Sequence, residues 1–79
     1  MSFTLTEHAK VRLAGRALPI EVIEETFANP DMINPNPRGN GVIYVKTFDL
    51  RGRFREVRLV VDNTVDPNRI VTIFVGDRS

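Results

Sequence analysis

The sequence predicts an α+β domain in which two N-terminal helices pack on a three-stranded antiparallel β-meander. Three observations carry this prediction. Apolar residues recur every third or fourth position in the first third of the chain, as in an amphipathic helix. From Gly41 onward, apolar residues instead alternate with polar ones, as in half-buried strands. The length of 79 residues fits one domain, which we take as residues 1–79.

The first helix is predicted over about residues 4–14, with its start at Thr4 or Thr6. The segment Thr4–Glu7 has the capping-box spacing, and Gly15 is a suitable end for the helix. An apolar stripe with a spacing of four residues consists of Leu5, Ala9 and Leu13. A polar row with the same spacing flanks it and consists of His8, Arg12 and Arg16. These two rows predict one buried and one polar helix face.

The second helix is predicted over about residues 19–29, followed by a loop over about residues 30–41. Pro19 suits the first turn of a helix, where its missing N–H leaves no hydrogen bond unmade. Pro30 disfavours helical conformation at the residue before it. The segment Asn34–Gly41 is composed almost entirely of asparagine, proline and glycine, which predicts an irregular connector.

Three strands are predicted over about residues 42–48, 54–61 and 69–75. The segment Asp49–Gly52 predicts a three-residue hairpin loop that pairs Asp49 with Arg53. In that register the helices cover an aliphatic face formed by Ile43, Val45, Val57, Leu59, Val61, Val71, Ile73 and Val75. The open face then carries Tyr44, Lys46, Phe48, Phe54, Glu56, Arg58, Ile70, Thr72 and Phe74. A mixed polar and aromatic face of this kind is typical of a binding surface, or of an ordinary solvated sheet.

Composition excludes several classes of function. The chain has no cysteine and one histidine, so we expect no disulfide, no metal site and no metal cofactor. A glycine-rich phosphate loop after a strand is missing, so we expect no nucleotide cofactor. No apolar run is long enough to span a membrane, and the start does not resemble a secretion signal, so we expect a cytoplasmic protein.

Charge is concentrated in the predicted hairpin. The net charge is only +1, but residues 46–58 contain five basic and two acidic side chains. Nine of the eleven basic residues are arginine, whose planar fork fits phosphate with two hydrogen bonds. The competing explanation is a solvated hairpin whose charges keep a sheet edge soluble.

Two sequence motifs carry a resemblance to a known family. Residues 8–16 have the form H-A-x-x-R-x-x-x-R, and residues 71–74 read Val-Thr-Ile-Phe. Together with a glutamate-rich second helix that ends in Asn-Pro-Asp, they resemble a widespread bacterial family of domains of unknown function. By fold, that family is similar to the RelE, barnase and EndoU group of metal-independent ribonucleases. Many members of that group are toxins of toxin–antitoxin or intercellular competition systems.

The resemblance implies a set of site residues and partners. The implied catalytic residues are His8, Lys46, Arg58 and Thr72. The implied substrate-binding residues are Arg12 and Arg16. The chemistry of RNA cleavage adds Tyr44, which could stack a base, and Glu56, which could contact the substrate or act as an alternative base to His8. RNA would be the substrate, and an antitoxin or immunity protein would be the partner. The chain departs from the family pattern in having Gly15 before Arg16, and in having Phe74 where tyrosine is common, which removes one proton donor.

Each of these residues also has a purely structural explanation. A histidine near a helix start often bonds backbone or solvent, and Arg12 and Arg16 could pair with acids of the second helix. Lys46 and Glu56 could be cross-strand charge partners. Three classes of function therefore stay open. They are a toxin-like ribonuclease, a non-catalytic RNA-binding module and a protein-interaction module that uses the open face or a sheet edge.

Overall fold

A computed structural model describes residues 3–16, 18–50 and 52–77, in which two helices pack on one face of a five-stranded sheet. The elements, in chain order, are β1 Phe3–Leu5, α1 Glu7–Arg16, α2 Ile20–Ala28, β2 Met32–Pro35, β3 Val42–Leu50, β4 Arg53–Asp62 and β5 Asn68–Asp77. The strand order is β1-β5-β4-β3-β2, with β1 parallel to β5 and the other pairs antiparallel. The α+β class and both helices are confirmed, whereas the predicted three-stranded antiparallel sheet is incomplete, because the short edge strands β1 and β2 extend it to a five-stranded mixed sheet. Neither of the two described helices is long and apolar enough to cross a membrane.

The first correction concerns the start of α1. Thr4 and Leu5, which were predicted in the helix, belong to the strand Phe3–Leu5 beside β5, and the helix begins at Glu7. Thr6 explains the change of direction, because its hydroxyl oxygen accepts the Ala9 N–H at 3.1 Å and donates to the Val71 carbonyl at 2.9 Å. It therefore caps the helix and ties its start to β5. The helix continues through Gly15 to Arg16, past the predicted end.

The second correction concerns the predicted loop over residues 30–41. Met32–Pro35 pairs with β3 as an edge strand, so the irregular part of the predicted loop is limited to residues 30–31 and 36–41. Pro35 is tolerated because it is the last residue of an edge strand, where an N–H is not needed for the sheet. The corner before β2 is held by the Asp31 N–H, which donates to the Val45 carbonyl at 2.8 Å.

The core lies between the helices and the central strands. Its fully or nearly buried residues are Ala9, Ile23, Phe27, Val57, Leu59, Val61, Ile70 and Ile73. The Phe27 ring lies between two other aromatic rings, at 5.0 Å from the Phe3 centroid and 5.2 Å from the Tyr44 centroid. Tyr44 therefore faces the helices, and its predicted place on the open face is wrong.

The reason is the register of the β3–β4 hairpin. Leu50 pairs with Arg53, so the loop has two residues instead of the predicted three, and Asp49 pairs with Phe54. Gly52 takes the predicted positive φ, at 79°, while Arg51 lies outside the described residues. A shift of one residue exchanges the two faces of a strand. On β3, Tyr44, Lys46 and Phe48 consequently face the helices, and Ile43 and Val45 face away.

A β-bulge corrects the prediction for β5. Val60 pairs with Thr72 and Val61 pairs with Ile70, which leaves Val71 as an extra residue. Val71 is 38% exposed, although it was predicted in the buried aliphatic set, and Ile70 is fully buried, although it was predicted on the open face. Beyond the bulge the prediction holds, with Thr72 and Phe74 sharing the open face with Arg58.

Candidate functional site

The sheet face away from the helices carries a groove of about 880 Å³, which we call the open-face groove. Its floor is formed by side chains of β3, β4 and β5, including Ile43, Val60 and Phe74. Three polar or charged residues of the floor, Glu56, Arg58 and Thr72, come from neighbouring positions of β4 and β5. All three were predicted as site residues, and the structure brings them together in one place.

One wall of the groove is the connector between β2 and β3. Asn36 organises it, because its side-chain oxygen accepts the Arg38 N–H at 3.0 Å and its side-chain amide donates to the Asn40 carbonyl at 3.3 Å. The Asn36 N–H also donates to the Gly41 carbonyl at 3.2 Å. These bonds hold Asn36, Pro37 and Arg38 against the groove. The sequence prediction assigned no role to this wall, although Asn-Pro-x-Gly is a turn signal that could have indicated an ordered one.

Glu56 and Arg58 form an ion pair inside the groove. The Arg58 Nε atom donates to Glu56 Oε1 at 2.5 Å, and the two residues point to the same face because they are two positions apart on β4. Arg58 is exposed and Glu56 is half-buried. A guanidinium has five N–H donors, so one bond through Nε leaves the others able to bind an anion. The arrangement therefore combines a proton acceptor with an anion-binding fork.

Thr72 contributes a hydroxyl group without a hydrogen-bond partner. Its Oγ1 atom is shielded from solvent and contacts no acceptor or donor within the described ranges. A buried polar group left unpaired destabilises a protein by about 1–3 kcal/mol, so such groups are uncommon and often have a functional reason. Because Thr72 lines the groove, its hydroxyl is a candidate donor to an oxygen of a ligand bound there.

We expect a Thr72→Val variant to be more stable than the wild type by about 1 kcal/mol, because it replaces an unpaired buried hydroxyl with a methyl group of similar size. Thr26→Val is the matched control, since the Thr26 hydroxyl is buried but donates to the Val22 carbonyl at 2.7 Å. That variant should instead lose about 1 kcal/mol. Urea unfolding of both variants checks the prediction, which a destabilised Thr72→Val protein would contradict.

Helix α1 reaches the open face through Arg12. The Arg12 guanidinium carbon lies 5.7 Å from the centroid of the Phe74 ring, within the range of a cation–π contact. His8 is exposed one helical turn before Arg12 and lies on the same row of α1, outside the residues that line the groove. Arg16 is exposed in the last turn of the helix. Helix α1 therefore contacts the groove through Arg12, the middle residue of its polar row.

Lys46 lies on the other side of the sheet and has structural partners there. Its ammonium group donates to the Asn29 carbonyl at 2.9 Å and lies 3.5 Å from Asp31 and 3.8 Å from Glu25. Asn29 is the C-cap of α2, so the lysine satisfies a terminal carbonyl and opposes the negative end of the helix dipole. The β3 register therefore places Lys46 and Tyr44 on the helix-covered face, away from the groove that contains Glu56 and Arg58.

We expect Lys46→Met to lower the free energy of unfolding by about 1–2 kcal/mol, because it removes a helix-end hydrogen bond together with two ion pairs. The Lys46 side chain is only 20% exposed, which limits screening by solvent. Lys10→Met is the control, because the Lys10 side chain is 56% exposed and pairs only with Glu7 one turn away. Equal unfolding midpoints for the two variants would refute this structural role.

The fold and the groove define a small α+β domain with a polar site on the sheet face away from its helices. The chain belongs to the family described as a domain of unknown function, DUF4258, whose family model matches residues 5–75. That range includes both helices and all the groove-lining residues except Gly76. No curated protein and no solved structure matches the chain. Within the described residues, histidine and carboxylate side chains form no cluster of three that could hold a metal ion.

Proposed function

We propose that this protein is a metal-independent endoribonuclease that binds single-stranded RNA in the open-face groove. The observation that carries the proposal is the convergence of Glu56, Arg58 and the unpaired Thr72 hydroxyl in one groove. These three groups supply a proton acceptor, a phosphate-binding fork and a neutral donor. The sequence motifs resemble a family whose fold is similar to that of the RelE, barnase and EndoU group, and this analogy of fold supports the same reaction.

The reaction would be an intramolecular transesterification, in which the phosphoryl group is transferred from the 5′-oxygen of one nucleotide to the 2′-oxygen of the preceding ribose. The Glu56 carboxylate removes the proton from a ribose 2′-hydroxyl, whose oxygen then bonds to the adjacent phosphorus atom. The bond between phosphorus and the 5′-oxygen breaks, leaving a 2′,3′-cyclic phosphate and a 5′-hydroxyl end. Arg58 and Thr72 donate to the phosphoryl oxygens, where negative charge grows in the transition state. When RNA binds, its phosphate must replace the Glu56 carboxylate as the partner of the Arg58 guanidinium.

The leaving 5′-oxygen needs a proton, and His8 is the candidate donor. Histidine is the side chain that ordinarily changes its charge near neutral pH. His8 is exposed on the row of α1 that also contains Arg12, and Arg12 contacts Phe74 in the groove. We assign His8 to the rim of the groove, where a bound RNA strand would bring its 5′-oxygen to the imidazole.

A second candidate function is RNA binding without cleavage. Phe74 stands where the resembling family commonly has tyrosine, so the groove has one proton donor fewer than that pattern. Arg38 and Arg58 would still bind phosphates, and affinity would fall as salt rises. Binding without cleavage would distinguish this function from the nuclease.

The resemblance also extends the proposal to the cell. A toxin-like nuclease would act on cytoplasmic RNA and would be held inactive by an antitoxin or immunity protein. Induction of the wild-type gene should then slow growth, and a neighbouring gene product should relieve the effect. Growth unaffected by a folded and soluble protein would count against the toxin-like role.

The direct test is RNA cleavage by the purified protein in EDTA, with mass analysis of the product ends. We expect cleavage that leaves 2′,3′-cyclic phosphates and that is lost in Glu56→Gln and reduced in His8→Ala. Failure of the folded wild type to cleave a diverse pool of single-stranded RNA would reject the nuclease. Cleavage that requires added metal would reject the mechanism.

A further inference from the structure

The groove contains an aromatic ring that the proposed chemistry does not use. Phe74 is 44% exposed on the open face of the sheet. Its neighbour across the β4–β5 pair is Arg58, and the Arg12 guanidinium lies over its ring at 5.7 Å. The ring therefore lies between an arginine from the helix and an arginine from the sheet.

An exposed ring beside a guanidinium matches the chemistry of nucleobase binding. Unpaired bases stack on aromatic rings and on the planes of arginine side chains, and duplex bases are unavailable for this because they already stack on one another. We propose that Arg12 and Phe74 form a stacking subsite for one unpaired nucleobase. This inference rests on the proposed function, since it assigns the base next to the phosphate that Arg58 and Thr72 would hold.

The geometry of the sheet connects the two subsites. Directly paired residues of antiparallel strands have Cβ atoms about 4.5–5.5 Å apart on one face, so a base on Phe74 lies one side chain away from Arg58. The phosphate of the same nucleotide is then within reach of the Arg58 fork. Stacking depends on the π-face that every base has, so we expect little preference for base identity at this subsite.

Phe54 provides an internal comparison. It is also exposed on the same face, at 59%, but it is located beside the hairpin turn and does not line the groove. Exposure alone therefore does not distinguish the two rings. The distinguishing features of Phe74 are its place in the groove and the arginine over its ring.

The chain contains no tryptophan, so a tryptophan substituted for Phe74 or Phe54 is the sole source of tryptophan fluorescence in that variant. We would titrate Phe74→Trp and Phe54→Trp with a short single-stranded RNA carrying 2′-O-methyl groups, which cannot undergo internal attack. We expect the RNA to quench the fluorescence of Phe74→Trp and to leave that of Phe54→Trp unchanged. Equal quenching of both variants, or none of Phe74→Trp, would overturn the inference. The same RNA as a duplex should not quench.

Affinity measurements provide the second arm. Phe74→Leu keeps an apolar side chain but removes the π-face, so binding of the methylated RNA should weaken about tenfold or more. Arg12→Ala should also weaken it, whereas Phe54→Leu should bind as the wild type does. Unchanged affinity in Phe74→Leu would overturn the inference. The methylated probe measures binding separately from cleavage, which is measured on unmodified RNA. If the wild type binds the probe but does not cleave unmodified RNA, only the nuclease is rejected. If it cleaves RNA but the probe does not quench Phe74→Trp selectively, only the stacking subsite is rejected.

Discussion

A Gly41→Ala variant is expected to lose about 3 kcal/mol or more of folding free energy, a large part of what a domain of this size has. Gly41 has a φ of 92°, a conformation that side chains with a Cβ rarely adopt. A Cβ built there would lie 2.2 Å from the Val61 carbonyl oxygen. Because that oxygen belongs to the backbone of β4, neither side can move without disturbing the β3–β4 pairing.

Gly39→Ala is the matched control, because a Cβ at Gly39 meets no atom within 4 Å and its φ is not positive. We expect that variant to stay within about 0.5 kcal/mol of the wild type. Urea unfolding of the two variants measures the difference directly. Since the Gly41 carbonyl accepts the Asn36 N–H, Gly41→Ala should also displace the groove wall. Similar unfolding midpoints for the two variants would show that the described backbone at Gly41 is wrong.

Arg58→Ala is expected to reduce RNA cleavage by about 10²–10³-fold, the usual effect of removing one group that stabilises a growing oxyanion. The side chain is exposed, so the variant should remain folded. Arg58→Lys should recover only part of the activity, because lysine keeps the charge but loses the two-pronged donor. Single-turnover cleavage in EDTA separates this loss from weaker RNA binding.

Arg69→Ala is the control for charge. It removes one arginine from an exposed position of β5 before the bulge, outside the groove. The pKa of Asp62 is lowered mainly by hydrogen bonds from the Thr64 hydroxyl and N–H, and the positive charge of Arg69 lowers it further. Cleavage by Arg69→Ala should stay within a few-fold of the wild type. An equal loss in the two arginine variants would mean that Arg58 acts only through overall charge.

The parts of the fold that were predictable are those in which one periodic pattern covers several turns or pleats. The helices followed from apolar spacing and from Pro19 and Pro30, and the β4 faces followed from alternation around Val57 and Leu59. Alternation in β4 also placed Glu56 and Arg58 together on the open face, where the structure has them.

The parts that were missed depend on contacts between distant segments. Strand β1 has three residues, too few for a periodic signal, and exists because it pairs with β5, more than sixty residues away. The hairpin register depended on one loop residue, and this error moved Tyr44 and Lys46 to the wrong face. Val71 bulges where its carbonyl accepts the Thr6 hydroxyl, a contact that no local pattern encodes.

If the open-face groove is built for chemistry at the expense of stability, a Thr72→Val variant will be more stable and less active than the wild type. RNA cleavage in EDTA and urea unfolding would be measured on the same preparations of this variant and the wild type. We predict a higher unfolding midpoint together with cleavage at least about tenfold slower, because the removed hydroxyl is unpaired in the free protein and donates to the phosphate in the transition state. Cleavage at the wild-type rate by a stable Thr72→Val protein would show that the Thr72 hydroxyl does not take part in the reaction.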